Sequence, residues 1–301
     1  MKKSNIKQPV SLVLSSGGAR GIAHIGVIEI LENQDFEIKS ISGASMGALI
    51  GGIYAAGKLK EYKEWISGLK KIDVLKMFDF TLSKYGLVKG NKVFKEMEKI
   101  VPNINIEDMD ITFTAIATDI LKRKEMIFNS GKLFDAIRAS IAIPSVFTPL
   151  IINNSQLVDG GVVNPIPINR VKRTPGDIIV AVNVGANIPI EYPKISHSEQ
   201  NEKQTDNEIS EIINTVLKKI FRVKQTKNTK NTLGYFELIS ETMNTMLQRL
   251  TEMSIEYNKP DILINISRHS CGTFDFYKAD KMIKIGREET LKSIKNYREK
   301  K

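Results

Sequence analysis

Three short segments carry residue types suited to acyl-transfer chemistry, and each is built around glycine. Gly43-Ala44-Ser45-Met46-Gly47 is a G-x-S-x-G set between a β-rich apolar run, Ile38 to Ile41, and a helical one, Met46 to Ala56. A serine at a tight strand-to-helix turn needs small neighbours, and Gly43 and Gly47 supply the room that Cβ atoms would fill. The helix behind Ser45 is apolar on all sides, so it is expected to be buried. Its N-terminal N–H groups and partial positive charge would lie where an oxyanion develops. A plain buried glycine-rich helix is the alternative, and it leaves the serine at the tip unexplained.

The second segment, Ser16-Gly17-Gly18-Ala19-Arg20-Gly21, follows the strand-like Ser11 to Leu14 and opens a helix, Ile22 to Leu31. Backbone N–H groups in such a turn can converge on an anion, as a phosphate cradle or as an oxyanion hole. The dinucleotide pattern G-x-G-x-x-G has Ser16 where its first glycine belongs. The third segment is Asp159-Gly160-Gly161 after the strand-like Leu157 and Val158, which by itself reads as a turn. A nucleophilic serine needs a base, however, and only three histidines are available. His24 lies on an apolar helix, His197 in a hydrophilic stretch and His269 in a polar turn, and none has the context of a triad.

Taken together, the three segments resemble the patatin-like phospholipase family in order and separation. Arg138-Ala139-Ser140 with Pro144 and Phe147, Gly86-Leu87-Val88-Lys89-Gly90, and the C-terminal Lys259-Pro260-Asp261-Ile262-Leu263-Ile264 are similar to its other blocks. The resemblance covers nearly the whole chain, the stretch from Asn187 to Asn231 least closely. It implies that Ser45 attacks an ester carbonyl and that Asp159 takes its proton without a histidine. It places Gly17, Gly18, Arg20 and Gly21 on the oxyanion-hole turn, Gly43 and Gly47 at the nucleophile elbow, and Gly160 and Gly161 on the turn of the base. Ser16 is a departure, since the family usually has glycine there. The implied activity is hydrolysis of carboxylic esters in phospholipids or related acyl lipids, with no metal and no cofactor. A thioesterase or small-ester esterase of the same fold, and a non-catalytic lipid-binding or regulatory protein, are the competing readings.

Such a site needs a scaffold that brings distant turns together. Ser11 to Leu14, Ile38 to Ile41, Ile111 to Thr118, Ile178 to Val184 and Ile262 to Ile266 read as strands, with helical patterns between them. That alternation predicts a mostly parallel sheet covered by helices on both faces, with the site at the carboxyl ends of the strands. The resemblance implies a three-layer α/β/α fold of the patatin type. A single domain over 1–301 is expected, with a catalytic core at 8–190, a hydrophilic and basic insert at 191–231, and a helix–strand–helix at 232–301 that completes the fold. A helix from about Leu233 to Ser254 carries Phe236, Ile239, Met243, Met246, Leu247, Leu250 and Met253 and is expected to be core.

With 301 residues and 42% apolar content the chain can fill a large core, and its one cysteine, Cys271, excludes an internal disulfide framework. No His/Cys cluster has zinc-ligand spacing. The apolar run Val10 to Leu14 is too short for a signal-peptide core, and glycines and prolines break up the other uncharged stretches, so a cytoplasmic location is expected. A net charge of +10 favours anionic partners. Aromatics are not interleaved with the basic residues, which argues against nucleic acid. Lys218, Lys219, Arg222, Lys224, Lys227 and Lys230 follow one another with no intervening acid, partly along an amphipathic helical pattern. Peripheral contact with an anionic membrane is one reading of them, and a solvated helix face is the other. The apolar positions between Lys70 and Val88 are those of a lid, an acyl-chain wall or an ordinary packed connection.

Overall fold

A computed structural model describes residues 7–77, 80–83, 86–88, 90–144, 146–190 and 235–300. Five strands form the parallel part of its main sheet: β1 (Gln8–Leu14), β2 (Phe36–Ala44), β5 (Thr112–Asp119), β9 (Ile178–Ala186) and β10 (Ile262–Ser267). Their spatial order is β10-β9-β1-β2-β5; four of them contain the whole run expected to be a strand, and β5 begins one residue later than expected, at Thr112. Three shorter strands extend the sheet beyond β5. These are β6 (Lys124–Phe128) and β8 (Ser155–Asp159), both antiparallel to β5, and β7 (Leu150–Ile152), antiparallel to β8. A separate hairpin pairs β3 (Phe80–Ser83) with β4 (Gly86–Val88).

Alternation along β1 sorts the layers. Val10, Leu12 and Leu14 join the large core with α1 (Ala23–Asn33), α2 (Met46–Ala55) and the C-terminal helix Ala279–Glu299. Val13 faces the opposite side and clusters with Ile166, Ile168, Val171 and Ala181. The central strand is thus covered on both faces, the condition under which parallel strands are stable. The result is the expected α/β/α arrangement.

Five further helices complete the described chain: α3 (Leu59–Ser67), α4 (Lys71–Met77), α5 (Asn91–Glu98), α6 (Leu133–Ser140) and α7 (Tyr235–Asn258), with Ala279–Glu299 as α8. In the stretch from Lys70 to Val88, α4 buries Val74 and leaves Ile72 exposed, so this segment is at least partly an ordinary packed connection. The hydrophilic and basic stretch at 191–231, with its six cations and His197, lies outside the described residues.

Helix α7 forms where expected but does not pack as expected. Ile239, Met246 and Met253 are exposed, and among its described side chains only Thr251 is buried. The docked face overlaps the expected one but is rotated from it, with Met243, Leu247 and Leu250 half-buried beside Thr251. Ser254 Oγ donates to the Ile166 carbonyl at 3.0 Å, and Ile255 packs on the cluster around Ile166. Helical periodicity finds an apolar stripe, but the rotation of the helix on the sheet decides which stripe is covered.

Register brings two distant turns together. Strand β2 pairs with residues 112–116 of β5 and ends with Ala44 opposite Ile116. Strand β8 pairs with residues 117–119 of β5, with its last residue, Asp159, opposite Ala117. Because β6 occupies the other edge of β5 over residues 115–119, β2 and β8 share one edge and meet there end to end. Ser45, the residue after β2, therefore emerges beside Asp159, although 114 residues separate them in sequence.

Candidate active site

Ser45 sits between the end of β2 and the start of α2 with φ 53° and ψ −122°, a left-handed backbone that costs a serine on the order of 1–3 kcal/mol. Packing holds it there. A Cβ on Gly47 would overlap the Leu14 carbonyl oxygen, and one on Gly43 would collide with the Gly47 backbone. Both glycines therefore make the close approach for which the elbow requires small residues. The Ser45 N–H donates to Ser140 Oγ at 2.9 Å, and Ser140 Oγ in turn donates to the Ile116 carbonyl at 2.6 Å. Ser140, on α6, thus joins the elbow to β5. Sequence reasoning noted it only within the Arg138-Ala139-Ser140 block and gave it no role.

Ser45 Oγ donates to Asp159 Oδ2 at 2.6 Å. The other carboxylate oxygen, Oδ1, accepts the Gly161 N–H at 2.7 Å, which turns Oδ2 toward the serine. The Asp159 backbone is held as well, its N–H donating to Ala142 and its carbonyl accepting from Thr118 Oγ1, each at 2.9 Å. A Cβ on Gly160 would overlap the Ile116 carbonyl, so this turn, like the elbow, rests directly on β5. Ser45 and Asp159 are both buried. Desolvation pushes the Asp159 carboxyl up to about 6, against the opposing pull of the bonds from Ser45 and Gly161. A carboxylate with that value is a far better proton acceptor at neutral pH than an ordinary aspartate.

The glycine turn lies against the elbow. A Cβ on Gly21 would strike the Met46 side chain, and one on Gly18, which has φ 57°, would strike Thr273. The Ala19 N–H donates to the Thr273 carbonyl at 2.9 Å, whereas no described group accepts from the N–H of Gly17 or Gly18. Arg20 turns its guanidinium toward backbone carbonyls. Its Nε donates to the Gly17 carbonyl at 3.1 Å and its Nη1 to the Arg268 carbonyl at 3.0 Å. Since C=O and N–H point opposite ways in a trans peptide, holding the Gly17 carbonyl also sets the direction of the Gly18 N–H. The chemistry available is that of a serine hydroxyl bonded to a buried carboxylate, with two unpaired backbone donors on the adjoining turn.

Neither described histidine touches the dyad. His24 is fully buried, with Nε2 on the Ser15 carbonyl at 2.9 Å, and burial lowers its pKa to about 4. It is therefore neutral near pH 7 and buttresses the strand end that leads into the glycine turn. His269 is exposed.

Fold and site together define an α/β protein with a serine at a strand-to-helix elbow and an aspartate as its hydrogen-bond acceptor. The sequence pattern described as Patatin-like phospholipase matches residues 12–171, and the chain belongs to that family of lipid hydrolases. Among its relatives is an NTE family protein of Mycobacterium bovis, 27% identical over 96% of this chain and 92% of that one. The lysophospholipase NTE1 of Yarrowia lipolytica is 32% identical over 60% of this chain but only 13% of its own length. Its counterpart in Coccidioides immitis is 34% identical over 59% of this chain and 12% of its own. Among solved structures, VipD from Legionella pneumophila aligns with a TM-score of 0.49 at 13% identity, over 97% of this chain and 67% of that one. Among the described residues no helix is long and apolar enough to cross a membrane.

Proposed function

We propose that this chain hydrolyses carboxylic esters of acyl lipids, with lysophospholipids or phospholipids as substrates, Ser45 as nucleophile and Asp159 as general base. The observation that carries the reading is the 2.6 Å bond from Ser45 Oγ to a buried carboxylate whose pKa is raised to about 6. Asp159 takes the Ser45 proton as Oγ attacks the ester carbonyl, and the N–H groups of Gly17 and Gly18 receive the developing oxyanion. The proton then passes to the leaving alcohol, and water cleaves the acyl-enzyme by the same steps in reverse order. The glycine turn packs on Met46, next to the nucleophile, which favours the oxyanion role over a nucleotide cradle. The names of the fungal relatives favour a lysophospholipid substrate over a thioester. The run of cations from Lys218 to Lys230 would hold the enzyme at an anionic lipid surface in the cytoplasm.

Fluorophosphonate labelling, together with fatty-acid release from lysophosphatidylcholine, tests the reading. The wild type is expected to label and to turn over, and Ser45→Ala to do neither. A folded wild type that neither labels nor releases fatty acid would leave the non-catalytic lipid-binding reading in its place.

A further inference from the structure

Ser16 stands where the family usually has glycine, and the steps above give its side chain no part. Its position is tightly set. The Ser16 N–H donates to the Pro165 carbonyl at 2.8 Å. The preceding residue is held from two sides, its carbonyl by His24 Nε2 at 2.9 Å and its hydroxyl by the Val184 N–H at 3.1 Å. The Ser16 side chain consequently lies against Gly161. The point where a Gly161 Cβ would stand is 2.9 Å from Ser16 Oγ and 3.0 Å from Asp159 Oδ1. Only a glycine at 161 leaves space for both oxygens. Ser16 is partly exposed, and no described group bonds its hydroxyl. A hydroxyl with no described partner thus lies across the Gly161 position from Asp159 Oδ1, on the residue that leads into the N–H groups of Gly17 and Gly18, at a spacing that one water molecule can bridge to the base.

We propose that Ser16 Oγ holds the water that cleaves the acyl-enzyme, aligning it with the Asp159 carboxylate and the carbonyl seated on the glycine turn. The inference rests on the Ser45–Asp159 reading above. In the step it serves, the water oxygen bonds to the acyl carbon while one water proton passes to Asp159. The tetrahedral adduct then collapses, breaking the bond to Ser45 Oγ, and Asp159 returns the proton to that oxygen. A carboxylic acid leaves and the free enzyme is restored. Acylation needs no water, so the loss of Ser16 should affect the second half of the cycle selectively.

The test compares wild type, Ser16→Ala and Ser16→Gly during turnover of p-nitrophenyl butyrate, with intact mass of acid-quenched enzyme as the readout. Both variants are expected to turn over roughly tenfold or more slowly than wild type, and the fraction of enzyme acylated on Ser45 should rise toward saturation. Hydroxylamine, a nucleophile that needs no held water, should speed release in the variants more than in wild type. Slower turnover without accumulation of acyl-enzyme would mean that Ser16 only supports the fold of the turn, and wild-type turnover would mean it does nothing; either overturns the inference. A wild type that never acylates Ser45 would overturn the hydrolase reading itself, and this inference with it.

Discussion

Asp159→Asn separates the chemical role of the carboxylate from its structural cost. Burial raises the folded-state pKa of Asp159 from its ordinary 3.8 to about 6. Two units at about 1.36 kcal/mol each place roughly 3 kcal/mol of unfavourable free energy on the ionised form. Between about pH 4 and pH 6 the folded state binds this proton more tightly than the unfolded state does, so stability falls as pH rises through that window. The full cost is present above it. Asparagine cannot titrate, so the stability of the variant relative to wild type should improve by about 3 kcal/mol between pH 4 and pH 7, measured by urea unfolding at a series of pH values. Activity moves the opposite way. The base must be ionised, so wild-type kcat/KM on a soluble ester should fall about tenfold per pH unit below about 6, and Asp159→Asn should lose on the order of a hundredfold to ten-thousandfold in kcat. His24, lowered to about 4 and bonded to a backbone carbonyl, should contribute nothing to this limb, so His24→Gln should keep it. A flat profile down to pH 5 would refute the argument, as would a limb that survives in Asp159→Asn and vanishes in His24→Gln.

Ser140→Ala strands the Ser45 N–H and the Ile116 carbonyl in a buried setting, so it should cost about 1–3 kcal/mol of stability. By loosening the elbow it should also lower kcat roughly tenfold to a hundredfold with KM little changed, as read from steady-state kinetics on a short-chain ester. Reversing the charges of Lys218, Lys219, Arg222, Lys224, Lys227 and Lys230 should abolish co-sedimentation with anionic liposomes while leaving hydrolysis of a soluble ester near wild type; unchanged lipid binding would remove the membrane role from these residues.

Much of the scaffold was legible because its signals are local. Each parallel strand is a short β-rich run, and the glycines that flank Ser45 announce a turn too crowded for Cβ atoms. The three glycine-bearing segments indicated where chemistry could occur. Their order and separation suggested a family, which the match over residues 12–171 establishes. Of the antiparallel strands, β8 was legible only as the strand-like Leu157 and Val158, and β6 and β7 were not legible, since five- and three-residue strands carry too little periodicity to stand out. The docked face of α7 was read only in part: Met243, Leu247 and Leu250 are half-buried, but Ile239, Met246 and Met253 look outward, while Ser254 and Ile255 make the contact.

From sequence alone, Ser45 and Asp159 were a nucleophile and an acid with no physical reason to meet apart from a family resemblance. Tertiary structure supplied that reason: β2 and β8 end on neighbouring residues of one edge of β5, and the chain turns there because glycines 47 and 160 let backbone touch backbone. It also determined what no pattern of residues encodes. The hydrogen bonds made by Ser140 and Arg20 depend on which backbone groups come within reach, and the basicity of Asp159 depends on how much water the packed protein excludes. Residue types and spacing are properties of the chain, whereas distance and desolvation arise only once the chain has folded.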